Sequence, residues 1–278
     1  MAEPLVSITI PTKNAEKTLG LCLEAVKNQT YPNIETIVID SYSTDKTLDI
    51  AKKHGVKIVM CRGGLLEARF LGLKESKGEY VVFVDSDQIL RETAIERAVK
   101  LAENGNYDMV ILEEESWPFS RGFIATLYKA SKKVINAKAE DPKALKPGEG
   151  FFVPRFFRRE ILERVFEAIP REIIPKIIHY DHDIIYYECY RLSRRVGFLR
   201  DGVYHIEPDF KKLLRTNLRY GASMKVFSRL GYYKDLIRKG ESRIYVGRPL
   251  KLGFQSLILS LILKIVQRIG YLLPNPPN

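Results

Sequence analysis

Four short apolar runs, at 6–10, 34–39, 57–61 and 80–84, alternate with helix-patterned stretches over the first ninety residues. Strands separated by helices in this way must lie mostly parallel in one sheet, with helices on both faces. The first run reads as a strand stopped by Pro11, and Leu19, Leu23 and Val26 then set a helical spacing over 16–28. The second run ends at Asp40, and Ser43, Thr44 and Asp45 offer capping side chains for a helix over 46–54. A helix over 65–74 and a Lys77-Gly78 turn lead into 80–84, whose β-branched, uncharged character marks a strand buried on both faces. That strand delivers Asp85-Ser86-Asp87. The carboxyl ends of strands are where open α/β sheets bind ligands, and two carboxylates at such an exit can hold a hard divalent cation beside a diphosphate.

A chain of 278 residues, 45% of them apolar, can bury a proper core. Cys22, Cys61 and Cys189 have no paired spacing, which argues against a disulfide framework or zinc knuckle and fits a reducing compartment. Charge is uneven: residues 1–112 carry 14 Lys/Arg against 16 Asp/Glu, and residues 211–278 carry 14 against 2. A strand is expected at 108–113, after which regularity drops. Trp117-Pro118-Phe119 and the Pro/Gly-rich stretch 141–154 read as long surface loops around an acceptor site. A helix over 181–195 and a strand over 198–205 follow. In the basic tail, Lys211, Arg215 and Arg219 form one helical stripe, with Phe210, Leu213, Leu214 and Leu218 forming another. Farther on, Leu257, Ile258, Leu261, Ile262, Ile265 and Ile269 share an apolar face, and Ser256, Ser260, Lys264 and Gln267/Arg268 mark the opposite one. The run reads as broken too early for a membrane span. It fits a helix lying in the headgroup plane, with docking on the domain's own core as the alternative.

Taken together these pieces resemble the family 2 glycosyltransferases of the GT-A fold. Val6 to Asn14 is similar to the family's opening strand and Pro-x-x-Asn turn. Ile37 to Thr47 is similar to its second strand and acidic loop. Ala68-Arg69, Gly72 and the stretch from Gly78 to Asp87 match its Asp-x-Asp element. Tyr180-Asp181-His182-Asp183 lines up more weakly with its Glu-Asp-x-Asp element, with Tyr180 in place of Glu. The resemblance implies a Rossmann-like, mostly parallel mixed sheet in two halves, 1–112 for the nucleotide sugar and 113–210 for the acceptor, followed by a membrane-associating basic helical tail, 211–278.

The resemblance also implies roles. Pro11, Thr12 and Asn14 would line the base pocket, Asp40 would meet the base or ribose, Arg69, Ser86 and Asp87 would meet the diphosphate, and Asp85 would contact the ribose or, through water, the metal. Mn²⁺ or Mg²⁺ would sit on Asp87, with Asp85 and His205 completing the shell. Asp181 or Asp183 would be the general base, Asp181 being preferred. Arg155, Arg158 and Arg159 are candidates for an acceptor phosphate, and Trp117, Phe119, Phe151 and Phe152 for stacking on sugar or lipid. The expected reaction is an inverting hexosyl transfer, GDP-mannose being favoured as donor and UDP-glucose next. The acceptor would be lipid-linked, a dolichyl or polyprenyl phosphate or a lipid-linked glycan, at the cytoplasmic face of a membrane with the chain peripheral to it. A nucleotidyltransferase or a nicotinamide-dependent dehydrogenase would need a glycine-rich first turn, which Pro11-Thr12-Lys13-Asn14 is not. A basic lipid- or RNA-binding module with a vestigial site is the rival from another class. The tail's interleaved apolar face makes nucleic acid the less expected partner.

Overall fold

A computed structural model describes residues 3–141, 143–148, 151–236, 238 and 249–273. Four strands, β1 (Val6–Thr12), β2 (Ile34–Asp40), β3 (Lys57–Met60) and β4 (Tyr80–Phe83), pair in parallel in the order β3-β2-β1-β4. Helices α1 (Leu19–Lys27), α2 (Thr47–Lys53) and α3 (Leu65–Glu75) connect them. The sheet goes on through β7 (Phe156–Arg158), β6 (Met109–Ser116), β8 (Val196–His205) and β5 (Gln88–Leu90), giving eight strands. Here β7 is antiparallel to β4 and β6, β8 is parallel to β6, and β5 is antiparallel to β8. The sheet is therefore mixed, and parallel where the βα alternation required it.

Both faces are covered. Tyr80, Val82 and Val84 enter one apolar cluster with Ile8, Leu23 and Ile95. Val81 and Phe83 enter another with Leu66, Leu162 and Ile184. Successive side chains of a strand point to opposite faces, so burial on both sides is why this run reads as continuously apolar. Pro11 does not end β1. The β4 pairing stops at Thr9, whereas β2 accompanies β1 as far as Thr12 opposite Asp40, and the missing N–H of Pro11 falls where β4 no longer runs alongside.

The stretch after 114 is more regular than its sequence implies. Helices α4 (Ala94–Asn104), α5 (Phe123–Asn136), α6 (Arg159–Ala168) and α7 (Asp181–Leu192) flank β5 to β8. In α5 the buried Ile124, Leu127, Ser131 and Val134 keep helical spacing, but lysines between them and the Trp-Pro-Phe segment before them disguise it. Three-residue β7 exists only because β4 and β6 bracket it.

Two long helices close the chain, α8 (Phe210–Leu230), capped by the Asp209 side chain, and α9 (Leu250–Leu272). The buried stripe of α8 is Leu213, Asn217, Gly221, Met224 and Phe227, while Phe210 faces solvent. The early break expected in α9 does not occur: it runs unbroken for 23 residues, long and apolar enough by length and composition to cross a membrane. Its apolar face is split, Ile258 and Ile262 packing towards α5 and α8 and the rest turning outward. Gly253, Ser256, Ser260 and Gly270 are buried against the protein, while Phe254, Leu261, Ile265 and Leu272 point outward, Phe254 65% and Ile265 59% exposed. Small residues let backbones approach closely. A Cβ on Gly221 would stand 1.9 Å from the Gln267 carbonyl oxygen, and one on Gly270 2.1 Å from that of Leu218. Gln267 Nε2 also donates to Asn217 Oδ1 at 2.8 Å.

Candidate active site

Strand ends and loops frame a cavity of about 770 Å³ at the carboxyl edge of β1, β2 and β4. Pro11, Thr12, Asn14, Arg69, Asp85, Ser86 and Asp87, scattered over 77 positions of sequence, all line it. Asp40 does not reach its wall. It is fully buried beneath, where Oδ2 accepts from Thr12 Oγ1 (2.9 Å) and Ser43 Oγ (2.6 Å) and Oδ1 from the Ser43 amide (2.8 Å). Asn14, at φ +50°, accepts from the Thr44 amide at its side-chain Oδ1 and donates its own amide N–H to Ser43 Oγ. These two side chains fasten the β1 and β2 loops together and so shape the cavity floor.

Behind the cavity lies a continuous charged network. Arg69, only 2% exposed, donates from Nη2 to Asp85 Oδ1 (2.6 Å) and from Nε to Asp181 Oδ2 (2.8 Å). Arg155 Nη1 donates to the other Asp85 oxygen at 2.9 Å. Burial pushes the Asp85 carboxyl up, but Arg155 and Arg69 outweigh it and hold the group well below the usual carboxylate range. Asp181 follows the same logic, with burial opposed by Arg69. His182 is driven down, first by burial and then by Arg69 and Arg155, which keeps it neutral. Asp85 is thus a hub for two guanidinium groups, both oxygens engaged, and Arg155 serves it instead of standing free for an acceptor phosphate. Arg158 and Arg159 lie elsewhere, against Asp108 and Glu163.

Asp87 has different company. The register that sets Gln88 opposite His205, with the Ile206 amide donating to the Asp87 carbonyl at 2.8 Å, brings His205 Nε2 to 3.6 Å from Asp87 Oδ1. His205 Nδ1 faces Glu207 Oε2 at 3.1 Å, the carboxylate–imidazole arrangement that orients a metal-binding histidine. Glu207 is itself held by Ser116 Oγ and Lys132 Nζ, and Lys132 also pairs with Glu114. Among the described residues no cluster of three or more metal-capable side chains exists. One carboxylate and one oriented imidazole fit a cation that keeps waters and takes its remaining ligands from a substrate diphosphate. The nitrogen donor suits Mn²⁺ better than Mg²⁺. Lys212 Nζ, 3.2 Å from Asp87 Oδ2, supplies positive charge at the same carboxylate.

A second cavity, about 640 Å³, opens between this centre and helices α5, α8 and α9. The two cavities share a wall that includes Asp87, Asp183, His205 and Lys212. Asp181 lines only the first, whereas Asp183 borders both. Sequence reasoning missed Glu114, Lys132, Glu207 and Lys212, since an ordinary Glu or Lys on a helix or strand end carries no local mark. Their one signal is the surplus of buried charge along β6 and after β8.

The fold and this geometry define a glycosyl-transferring class, and comparison with known proteins agrees. The Glycosyl transferase family 2 model matches residues 7–166. The chain belongs to that family and is a glycosyltransferase of GT-A architecture. It is 27% identical over 230 residues to the glycosyltransferase GlyG of Streptococcus pneumoniae, covering 76% of this chain and 73% of GlyG. It is 33% identical over 137 residues to the Escherichia coli protein WfaP, named UDP-Glc:alpha-D-GlcNAc-diphosphoundecaprenol beta-1,3-glucosyltransferase, covering 48% of this chain and 53% of WfaP. Among solved structures, the mannosyltransferase PcManGT of Pyrobaculum calidifontis, in complex with GDP-Man and Mn²⁺, superimposes with a TM-score of 0.57 at 18% identity, over 97% of this chain and 74% of its own.

Proposed function

We propose that this chain is a metal-dependent inverting hexosyltransferase that takes a sugar from a nucleotide diphosphate donor to a lipid-linked acceptor at a membrane surface. The observation carrying this reading is the meeting of two cavities at Asp87, Asp183 and His205. One suits a nucleotide sugar and the other an acceptor, and transfer needs the two to touch. GDP-mannose is the leading donor. UDP-glucose is the second, favoured by the name of the WfaP relative, a UDP-Glc-dependent glucosyltransferase.

Asp87 and His205 would hold the cation, and Glu207 would fix the imidazole tautomer. When bound, Mn²⁺ or Mg²⁺ neutralises charge on the departing diphosphate. Arg69 borders the nucleotide cavity and is held there by Asp85 and Asp181 as a fixed positive charge behind the phosphates. The acceptor hydroxyl oxygen bonds to the anomeric carbon as the bond from that carbon to the phosphate oxygen breaks, and its proton passes to a carboxylate. Asp183 is the better base. Asp181 is committed to Arg69, whose charge lowers its basicity. Outward Phe254, Leu261, Ile265 and Leu272 support peripheral attachment to a membrane, because α9 packs on α5 and α8 through buried small residues and through Ile258, Leu259 and Ile262, and a spanning orientation would strip it from them.

The test is a thermal-shift series with GDP, UDP and their sugars, with and without Mn²⁺. A ligand at a hundred times its Kd stabilises by about 2.7 kcal/mol. Failure of every nucleotide diphosphate to raise the Tm would end the glycosyltransfer reading, and a preference for uridine nucleotides would replace mannose as the leading sugar.

A further inference from the structure

The second cavity is polarised. Its floor is acidic, with Asp87, Glu114 and Asp183. Its outer wall is α9, which carries no Asp or Glu anywhere along its length and contributes Lys264 and Arg268, one helical turn apart. The other lysines on this cavity are already neutralised, Lys132 by Glu114 and Glu207, Lys212 by Asp87. Lys264 makes no hydrogen bond or ion pair among the described residues, and exposed Arg268 rests over the Tyr271 ring at 5.4 Å. Leu263 and Tyr271 add apolar surface between and beside the two cations, and the neighbouring side of α9 is the outward apolar row.

We infer that Lys264 and Arg268 grip the phosphate of an amphiphilic acceptor, a saccharide joined through phosphate or diphosphate to a lipid, with a sugar hydroxyl as the nucleophile. This rests on the glycosyltransfer reading and deepens it. On the floor Lys132 and Lys212 are already paired with Glu114, Glu207 and Asp87, so a phosphate there gains no uncommitted lysine, whereas a neutral hydroxyl meets the base it needs. The phosphate accordingly belongs on the basic wall. The 640 Å³ between floor and wall is of the size that holds a compact ligand, here the sugar. The lipid then leaves along Leu261, Ile265 and Leu272, beside the bilayer.

The test uses the full chain with its nucleotide site filled by nucleoside diphosphate and Mn²⁺. Farnesyl diphosphate, farnesol and inorganic diphosphate are titrated separately by calorimetry into the wild type and into Lys264→Gln/Arg268→Gln, both surface changes checked by Tm. Farnesyl diphosphate is expected to bind wild type at least about tenfold more tightly than either fragment, and the double variant is expected to lose that advantage while still binding nucleotide. Equal affinity of variant and wild type for farnesyl diphosphate overturns the inference, as does equal wild-type affinity for farnesol. A parallel arm measures binding to vesicles of phosphatidylglycerol. If the variant loses only vesicle binding, the two cations serve the bilayer and not an acceptor, which also overturns it. Absence of nucleotide binding in the wild type would instead sink the glycosyltransfer reading on its own terms.

Discussion

Arg69→Met removes the cation that ties Asp85, in the loop after β4, to Asp181 at the start of α7. The side chain is 1% exposed and makes charge-assisted bonds of 2.6 and 2.8 Å to Asp85 and Asp181. Taking one partner from a buried ion pair costs about 3–5 kcal/mol, because the remaining charge stays buried. Asp85 keeps Arg155, so the larger share falls on Asp181, whose side chain is 8% exposed. Removing the orphaned Nη1 returns about 1 kcal/mol. The net loss is about 3 kcal/mol, a Tm decrease of about 6–10 °C for a domain of this size. Thermal unfolding at pH 7 with Arg69→Met, Asp181→Asn and the double variant forms a cycle in which the coupling should reach about 1–3 kcal/mol. The pH dependence has a fixed sign. Both carboxyls are held below their ordinary value in the folded protein, so the stabilisation is complete above about pH 4 and is lost as pH falls through the carboxylate range. The gap between wild type and Arg69→Met should therefore narrow on acidification. A Tm change under about 2 °C, or strictly additive single variants, would refute the bridge.

Three further outcomes follow from the same geometry. Asp87→Ala and His205→Ala should each abolish the extra Tm rise that Mn²⁺ gives in the presence of nucleoside diphosphate; retention of that rise in either would remove it from the metal site. Asp183→Asn should lower kcat by about 10²–10⁴-fold with nucleotide affinity kept, whereas Asp181→Asn should act mainly on stability; the reverse pattern in steady-state kinetics would return the base to Asp181. Gly221→Val puts side-chain carbon against the Gln267 carbonyl oxygen, where a Cβ alone would stand at 1.9 Å, so α9 must shift. Faster proteolysis of the C-terminal segment and weaker vesicle binding are expected, and wild-type values for both would show that the helix crossing does not govern attachment.

Local pattern carried the first half of the molecule. Period-two and period-3.6 spacing, turn residues and strand-end carboxylates are properties of contiguous sequence, so β1 to β4, their helices and the Asp85-Ser86-Asp87 turn could be read directly, and with them the family. What could not be read depends on partners far away in sequence. Asp40 and Asp87 are both strand-end aspartates, yet the β1–β2 pairing seals one under Ser43 and Thr12 while the β5–β8 register brings the other to His205. Asp181 and Asp183 differ by two residues, and the reach of Arg69 from α3 separates them. In α9 the alternation of small and large residues was visible, but its sense was not. A serine–glycine face reads as the wet side until α8 is seen to approach closely there, with Ile258, Leu259 and Ile262 packed beside it and Leu261 and Ile265 left outward. Sequence alone determined the fold class and the kind of chemistry. The tertiary structure decided which carboxylates are bound by Arg69, which border both cavities and which way the last helix faces, because burial and ion pairing are set by what packs against a residue and not by its neighbours in the chain.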